Sequence, residues 1–124
     1  MINEPFKYDQ RLDSVFLKSI YEDDMEYAAF GFEQFLKSYP SQMDELEQSF
    51  INGVVENFRQ KMHKLKPTFS FVGLTDITDK AQTIEKKCHE ITEITEISDL
   101  YHDFKNTLSH FIPVVEQENK RLNT

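Results

Sequence analysis

The 124-residue sequence is poor in several residue types, and each deficit excludes a class of protein. A single cysteine, Cys88, allows no internal disulfide and agrees with a reducing compartment. Three glycines and four prolines are too few for a turn-rich β-sandwich, and the composition does not suit a disordered chain. No apolar run approaches the roughly 20 residues that cross a bilayer, and the N-terminus lacks the apolar stretch of a signal peptide. We therefore expect a cytoplasmic protein without a membrane partner.

Positive charge is also scarce. Lys and Arg number 14 against 22 Asp and Glu, which gives a formal net charge of −8 at pH 7. Such a surface repels a phosphate backbone, so nucleic acid is not an expected partner. Hydrophobic residues, in contrast, make up 39% of the chain. At this length they are enough for one core of packed elements.

The hydrophobic residues recur at alternating steps of three and four, the spacing of one helix face. The first series runs from Met25 to Phe50 and ends at Gly53. It continues across Pro40, so one long kinked helix and two helices sharing a face both remain open. Further series cover residues 54–72, 77–91 and 101–122, and residues 12–21 suit a short leading helix. The pattern predicts an all-α fold, an antiparallel up-down four-helix bundle with a short additional N-terminal helix.

Capping residues predict where the later helices begin. Thr75 followed by Asp76 resembles an N-cap with an acidic first turn, and Ser98 followed by Asp99 forms a second such pair. The Ile-Thr-Glu repeat over residues 91–96 is interpreted as a connection or a frayed helix end. We expect residues 1–124 to form one domain in which residues 1–12 are a flexible N-terminal segment.

One histidine is predicted to face away from the core. At about 100° per residue, the apolar face that includes Phe58 and Met62 lies about 140° from His63. The run from Arg59 to Lys66 carries four basic residues and no acid. An exposed, neutral imidazole in such surroundings is able to accept a phosphoryl group, and Lys66, one turn further along, would stabilise its negative charge.

The segment from His63 to Leu74 resembles the signature of histidine phosphotransfer (HPt) domains. That signature reads approximately H-x-L-K-G, with a second glycine ten residues after the histidine and an apolar residue next. The matching positions are His63, Leu65, Lys66, Gly73 and Leu74.

Two positions depart from the family pattern. Pro67 replaces the usual glycine and removes the amide that would bond to the carbonyl of His63. Glu85 occupies a position where related domains often place a glutamine near the histidine. Both departures bear on the rate of transfer and on the choice of partner.

The resemblance implies a bundle that carries one phosphorylatable histidine, has no kinase activity of its own and acts between receiver domains in a phosphorelay. His63 would carry the phosphoryl group, Lys66 would steady it, and Gly73 would keep the surface open to the receiver. The implied partners are response-regulator receiver domains and a hybrid histidine kinase. Mg²⁺ is expected on the receiver, and neither a cofactor nor a metal on this chain, which is expected to be a monomer. The face predicted to contact a partner comprises Arg59, Lys64, Pro67, Ser70, Phe71, Gly73 and Leu74.

Some alternatives stay open at this point. A regular helix would expose Phe71 beside His63, whereas a bend at Pro67 would bury it against the next helix, and Leu74 shares this ambiguity. For the function, the alternative is a non-transferring helical adaptor that binds and regulates a kinase or receiver domain. The spacing from Asp99 to His102 occurs in di-iron bundles, but no Glu-x-x-His is present, so no metal site is expected.

Overall fold

The computed structural model describes residues 6–124, and within these limits the chain is built of helices and contains no β-strand. Its elements are α1 (Ser14–Tyr21), α2 (Met25–Asn52), α3 (Val55–Ser70), α4 (Thr75–Lys87), a short 3₁₀ turn (Ile94–Ile97) and α5 (Ser98–Leu122). None of the helices in this part of the chain is both long enough and apolar enough to span a bilayer.

Helices α2 to α5 form the predicted four-helix bundle. Helix α3 packs against α2 and α4, and α5 packs against α4 and α2, so each helix contacts two others. The short connections make consecutive helices antiparallel. The short helix α1 lies against α2 outside this four-helix arrangement. The all-α fold predicted from the hydrophobic spacing is therefore confirmed.

Aromatic side chains fill the centre of the bundle. Pairs of rings meet edge to face, with centroids 5.2 Å apart for Phe58 and Tyr101 and 5.6 Å apart for Phe69 and Phe104. Cys88 is buried beside this core, as its place in the apolar series predicts. Burial raises the pKa of its thiol to about 11, so the sulfur stays protonated and unreactive at neutral pH.

Proline does not interrupt the helices. Helix α2 is continuous over 28 residues with Pro40 inside it, which decides in favour of one long helix. Pro67 lies inside α3 and Pro113 inside α5. Each proline removes one backbone hydrogen bond, but the apolar face on both sides of it remains packed in the bundle and stabilises the helix.

The two predicted N-caps are wrong by one position. Helices α4 and α5 begin at Thr75 and Ser98 themselves, and neither preceding residue makes a capping side-chain hydrogen bond. The hydroxyl of Thr75 instead donates to Asp13 Oδ2 at 2.9 Å. Ser98 directly follows the 3₁₀ turn, which already sets the backbone for helix entry. Neither Thr75 nor Ser98 therefore acts as the N-cap that the sequence predicts.

Residues 6–13, here called the N-terminal strap, pack on the bundle. Tyr8 and Leu12 are buried, and the Asp9 N–H donates to the carboxylate of the buried Glu118 at 2.5 Å. Arg121 donates to the carbonyl of Lys7 at 2.9 Å. Of the segment predicted to be flexible, residues 6–12 are therefore held against the bundle, and residues 1–5 lie outside the described residues.

Candidate functional site

His63 lies in the middle of α3 on the face turned away from the core. The neighbouring Met62 and Leu65 are buried, whereas the side chain of His63 is 62% exposed. The predicted exposure of this imidazole is confirmed. A macromolecular partner can reach the ring without any rearrangement of the bundle.

The imidazole is not free on every side, because Glu85 of α4 contacts it. His63 Nδ1 and Glu85 Oε1 are 2.6 Å apart. An ionised carboxylate only accepts hydrogen bonds, so the proton of this contact belongs to Nδ1. In the neutral ring Nε2 then keeps its lone pair. The contact therefore selects the tautomer in which Nε2 carries the free lone pair.

Glu85 also binds the lysine of the site. Its Oε2 accepts from Lys66 Nζ at 2.8 Å, and Lys66 donates in addition to the side-chain carbonyl of Gln82. Burial by itself raises the pKa of Glu85, but the hydrogen bonds from Lys66 and His63 outweigh burial and hold the pKa below its usual value. Glu85 is consequently a carboxylate at neutral pH.

Lys66 is less free than its position on the helix suggests. Its side chain is only 18% exposed, because α4 supplies both acceptors of the ammonium group. Residues three apart on a helix share a face, so the ammonium remains next to His63. The placement of the Lys66 side chain is set by Gln82 and Glu85.

The sequence did not indicate that Gln82 belongs to the site. The available signal was its spacing of three residues from Glu85, which puts both side chains on one face of a helix. The sequence alone does not show that this face of the helix is turned toward α3. Only the packed bundle shows that Gln82 orients Lys66.

The basic run of α3 is largely neutralised by acids that lie outside it. Arg59 makes a two-bond ion pair with Glu56, with Nε to Oε2 at 2.9 Å and Nη2 to Oε1 at 2.5 Å. Lys61 lies 4.0 Å from Glu45 of α2, and Glu85 approaches from α4. The local field is therefore weaker than the count of basic residues between 59 and 66 predicts.

Part of the predicted contact face is exposed. Lys64 and Pro67 are exposed, and Phe71, at the end of α3, is 45% exposed while its carbonyl accepts from the Tyr21 hydroxyl at 2.7 Å. Of the two placements considered for Phe71, the exposed one is observed. Ser70 is half-buried, and its hydroxyl lies 2.8 Å from that of Thr78.

Gly73 and Leu74 are buried, and their assignment to the contact face is wrong. Gly73 has a φ of 76° and ends α3 in a Schellman motif. Its N–H donates to the Ser70 carbonyl at 3.0 Å, and the Leu74 N–H donates to the Phe69 carbonyl at 3.0 Å. A glycine is favoured here because the backbone is left-handed.

The N-terminal strap and α1 cover this glycine. The Asp13 N–H donates to the Gly73 carbonyl at 2.8 Å. A Cβ atom at position 73 would lie 2.8 Å from Leu17 Cδ1 and 3.0 Å from Leu12 Cβ. The resemblance implied that Gly73 keeps the surface open to a receiver. In the structure this glycine instead allows the strap and α1 to approach closely.

The remaining histidines, His89, His102 and His110, are exposed. Within residues 6–124 no group of three His, Cys, Asp or Glu side chains is arranged to hold a metal ion.

A family model described as Hpt domain matches residues 32–112, well over half of the chain. The chain belongs to the Hpt domain family. The match spans most of α2, all of α3 and α4, and more than half of α5, so it includes the whole contact between His63 and Glu85. The N-terminal strap and α1 lie outside it. Comparisons with curated proteins and with solved structures gave no match.

Membership of the Hpt family sets the general role of the chain. Hpt domains are phosphotransfer carriers of phosphorelays, and the resemblance read from the His63 segment is thereby confirmed. The all-helical bundle described above is the architecture of such a domain.

Proposed function

We propose that this Hpt domain accepts a phosphoryl group on His63 from the phosphoaspartate of one receiver domain and passes it to the aspartate of another. The observation that supports the proposal is the exposed imidazole whose Nδ1 is held by Glu85, with Lys66 bound to the same carboxylate. Helices α3 and α4 thus bring together the proposed nucleophile His63, the orienting Glu85 and the cationic Lys66.

In the transfer, Nε2 of His63 attacks phosphorus in line with the bond to the aspartate oxygen. The N–P bond forms as the P–O bond breaks, the bonding electrons leave with the aspartate carboxylate, and the proton on Nδ1 stays on the ring. The ring gains positive charge in this step. Glu85, with Oε1 2.6 Å from Nδ1, stabilises that charge. The reverse sequence delivers the phosphoryl group to a second receiver.

The chain needs few further groups for this chemistry. Phosphoryl transfer through a loose transition state depends mainly on positioning and on stabilisation of charge. Lys66 is the group proposed to bind the phosphoryl oxygens on this side, and the receiver is expected to contribute Mg²⁺. No cofactor is proposed for the Hpt chain itself.

A receiver domain is proposed to dock over the exposed part of α3. Lys64 and Pro67 are exposed near His63, Arg59 is half-buried one turn before it, and Phe71 offers an exposed aromatic ring directly after the helix. Aromatic side chains often dominate the binding energy of such interfaces. Because Arg59 and Lys61 are already paired with acids, we propose that shape and apolar contact contribute more to docking than net charge does.

The test is incubation with a receiver domain phosphorylated on its aspartate. The expected result is acid-labile, base-stable label on this chain, which disappears in His63→Gln. His110→Gln, which changes an exposed histidine of α5, is the matched control and should keep the label. Label that survives in His63→Gln would contradict the proposal.

The same experiment separates transfer from the adaptor alternative. A non-transferring adaptor would bind the receiver domain and leave its phosphoaspartate intact, with no label on the Hpt chain. A binding measurement with the wild-type chain, made beside the labelling reaction, shows which of the two occurs.

A further inference from the structure

We infer that Arg59 is a second phosphoryl-binding residue, which contacts the phosphoryl group once it is on His63. The inference rests on the proposed function and adds a role for a residue predicted only to touch the partner. It also gives a function to an arginine whose charge the acidic Glu56 already balances.

Arg59 and Lys66 lie on the same side of α3 as His63, one turn before it and one turn after it. Every Cα–Cβ bond of an α-helix is tilted toward its N-terminus, and long side chains lean over the preceding turn. Arg59 lies four residues before His63, on that preceding turn, whereas Lys66 lies on the following one. The imidazole therefore leans toward the turn that carries Arg59, and the guanidinium and the ring both lie beside the same oxygen, Glu85 Oε1.

Arg59 is already held at the site. Its side chain is 19% exposed, and Nη1 lies 3.7 Å from Glu85 Oε1, the same oxygen that contacts His63 Nδ1. An arginine fixed in this way loses little additional conformational freedom when it binds a further group.

One end of the guanidinium still has hydrogen-bond donors to offer. Nε and Nη2 donate to Glu56, whereas the separation of 3.7 Å between Nη1 and Glu85 exceeds a hydrogen bond. Among the described residues Nη1 thus has an ionic neighbour but no hydrogen-bond acceptor. A phosphoryl group brings three acceptor oxygens and about two negative charges, the ligand chemistry that suits a guanidinium.

Binding of the phosphoryl group can be distinguished from contact with the partner. A residue that touches only the receiver changes the forward and reverse rates equally and leaves the equilibrium between the two free phosphorylated proteins unchanged. A residue that binds the phosphoryl group stabilises the phosphorylated Hpt chain itself. The equilibrium constant of the exchange is therefore the decisive quantity.

The experiment measures the fraction of label on the Hpt chain at equilibrium with a receiver domain, for the wild type, Arg59→Gln and Arg59→Lys. In Arg59→Gln we expect the equilibrium constant for phosphohistidine to fall about fivefold, the size expected of one partly exposed charge-assisted hydrogen bond. Arg59→Lys should recover part of this loss. Lys61→Gln, which removes an equal charge two residues from His63, is the matched control and should change the constant by less than about twofold.

Two results would overturn the inference. If Arg59→Gln slows transfer in both directions but leaves the equilibrium constant unchanged, Arg59 acts in docking alone. If Lys61→Gln lowers the constant as much as Arg59→Gln does, the effect is general electrostatics. Failure of the proposed function is a different outcome, because the wild-type chain would then take no label. Thermal unfolding of each variant shows that the bundle is intact.

Discussion

At the scale of the residue, one carboxylate of α4 organises three basic side chains of α3. Glu85 is buried, contacts His63 and Lys66 directly and has Arg59 at 3.7 Å. A buried carboxylate is tolerated only when it is paired and hydrogen-bonded, and here its partners are the groups to which the proposed transfer assigns roles. The glutamine that the family often has at this position could accept the same hydrogen bond, but it would bring no charge to the ring.

Replacement of Glu85 should therefore separate hydrogen bonding from charge. Glu85→Ala removes both, so Nδ1 loses its acceptor, and we expect the proton to redistribute between the two ring nitrogens and phosphoryl transfer to slow about tenfold. Glu85→Gln keeps an acceptor and should give an intermediate rate. Nitrogen NMR of the imidazole reports the tautomer, and stopped-flow transfer reports the rate. An unchanged tautomer and rate in Glu85→Ala would contradict this role.

At the scale of the element, α3 carries the site and also a proline that should weaken the helix. Pro67 lies inside the helix, and its nitrogen has no hydrogen to donate to the carbonyl of His63 four residues earlier. The helix nevertheless continues to Ser70, and the Schellman motif at Gly73 ends it. Contacts of α3 with α2 and α4 on either side supply the stability that its backbone lacks.

Pro67→Ala is expected to stabilise the bundle. The alanine restores an amide that can donate to the His63 carbonyl, and position 67 is exposed, so little packing is lost. The free energy of unfolding should rise by about 1–3 kcal/mol, measured by urea denaturation. Thr83→Ala, an exposed change on α4, is a suitable control and should stay within about 0.5 kcal/mol. A decrease in stability would show that the pyrrolidine ring packs favourably.

At the scale of the whole molecule, several of the carboxylates that give the chain its negative net charge are paired with basic side chains. A hydrogen bond from Arg11 lowers the pKa of Asp9 to about 2, and one from Arg59 lowers the pKa of Glu56 to about 2. The pKa of Glu85 is also below its usual value, because the hydrogen bonds of Lys66 and His63 outweigh its burial. Protonation of these groups therefore opposes the folded state.

The bundle should lose stability in acid. A carboxyl group whose pKa is lower in the folded than in the unfolded chain contributes stability above its unfolded pKa and loses it as the pH falls through the folded value. With ordinary values of 3.8 for Asp and 4.5 for Glu, the loss should occur between about pH 4.5 and pH 2. Urea midpoints measured at intervals across this range test it. A constant midpoint would show that these pairs do not stabilise the fold.

Much of the fold is contained in the local pattern of the chain. The steps of three and four from Met25 to Phe50 predict α2, because the face of a helix depends only on residues one turn apart. The same reasoning places His63 opposite Phe58 and Met62, and its exposure follows. A recognisable segment around His63 then indicates the chemistry. Each of these conclusions needs no knowledge of what lies across the bundle.

The tertiary structure alone decided which side chains meet. Glu85 is 22 residues from His63, and only the packing of α4 on α3 brings its oxygen to 2.6 Å from Nδ1. In the same way, the strap and α1 cover Gly73, and Glu45 of α2 reaches toward Lys61. Contacts between distant segments depend on how helices are rotated and paired, and sequence periodicity describes the face of each helix without specifying its neighbour.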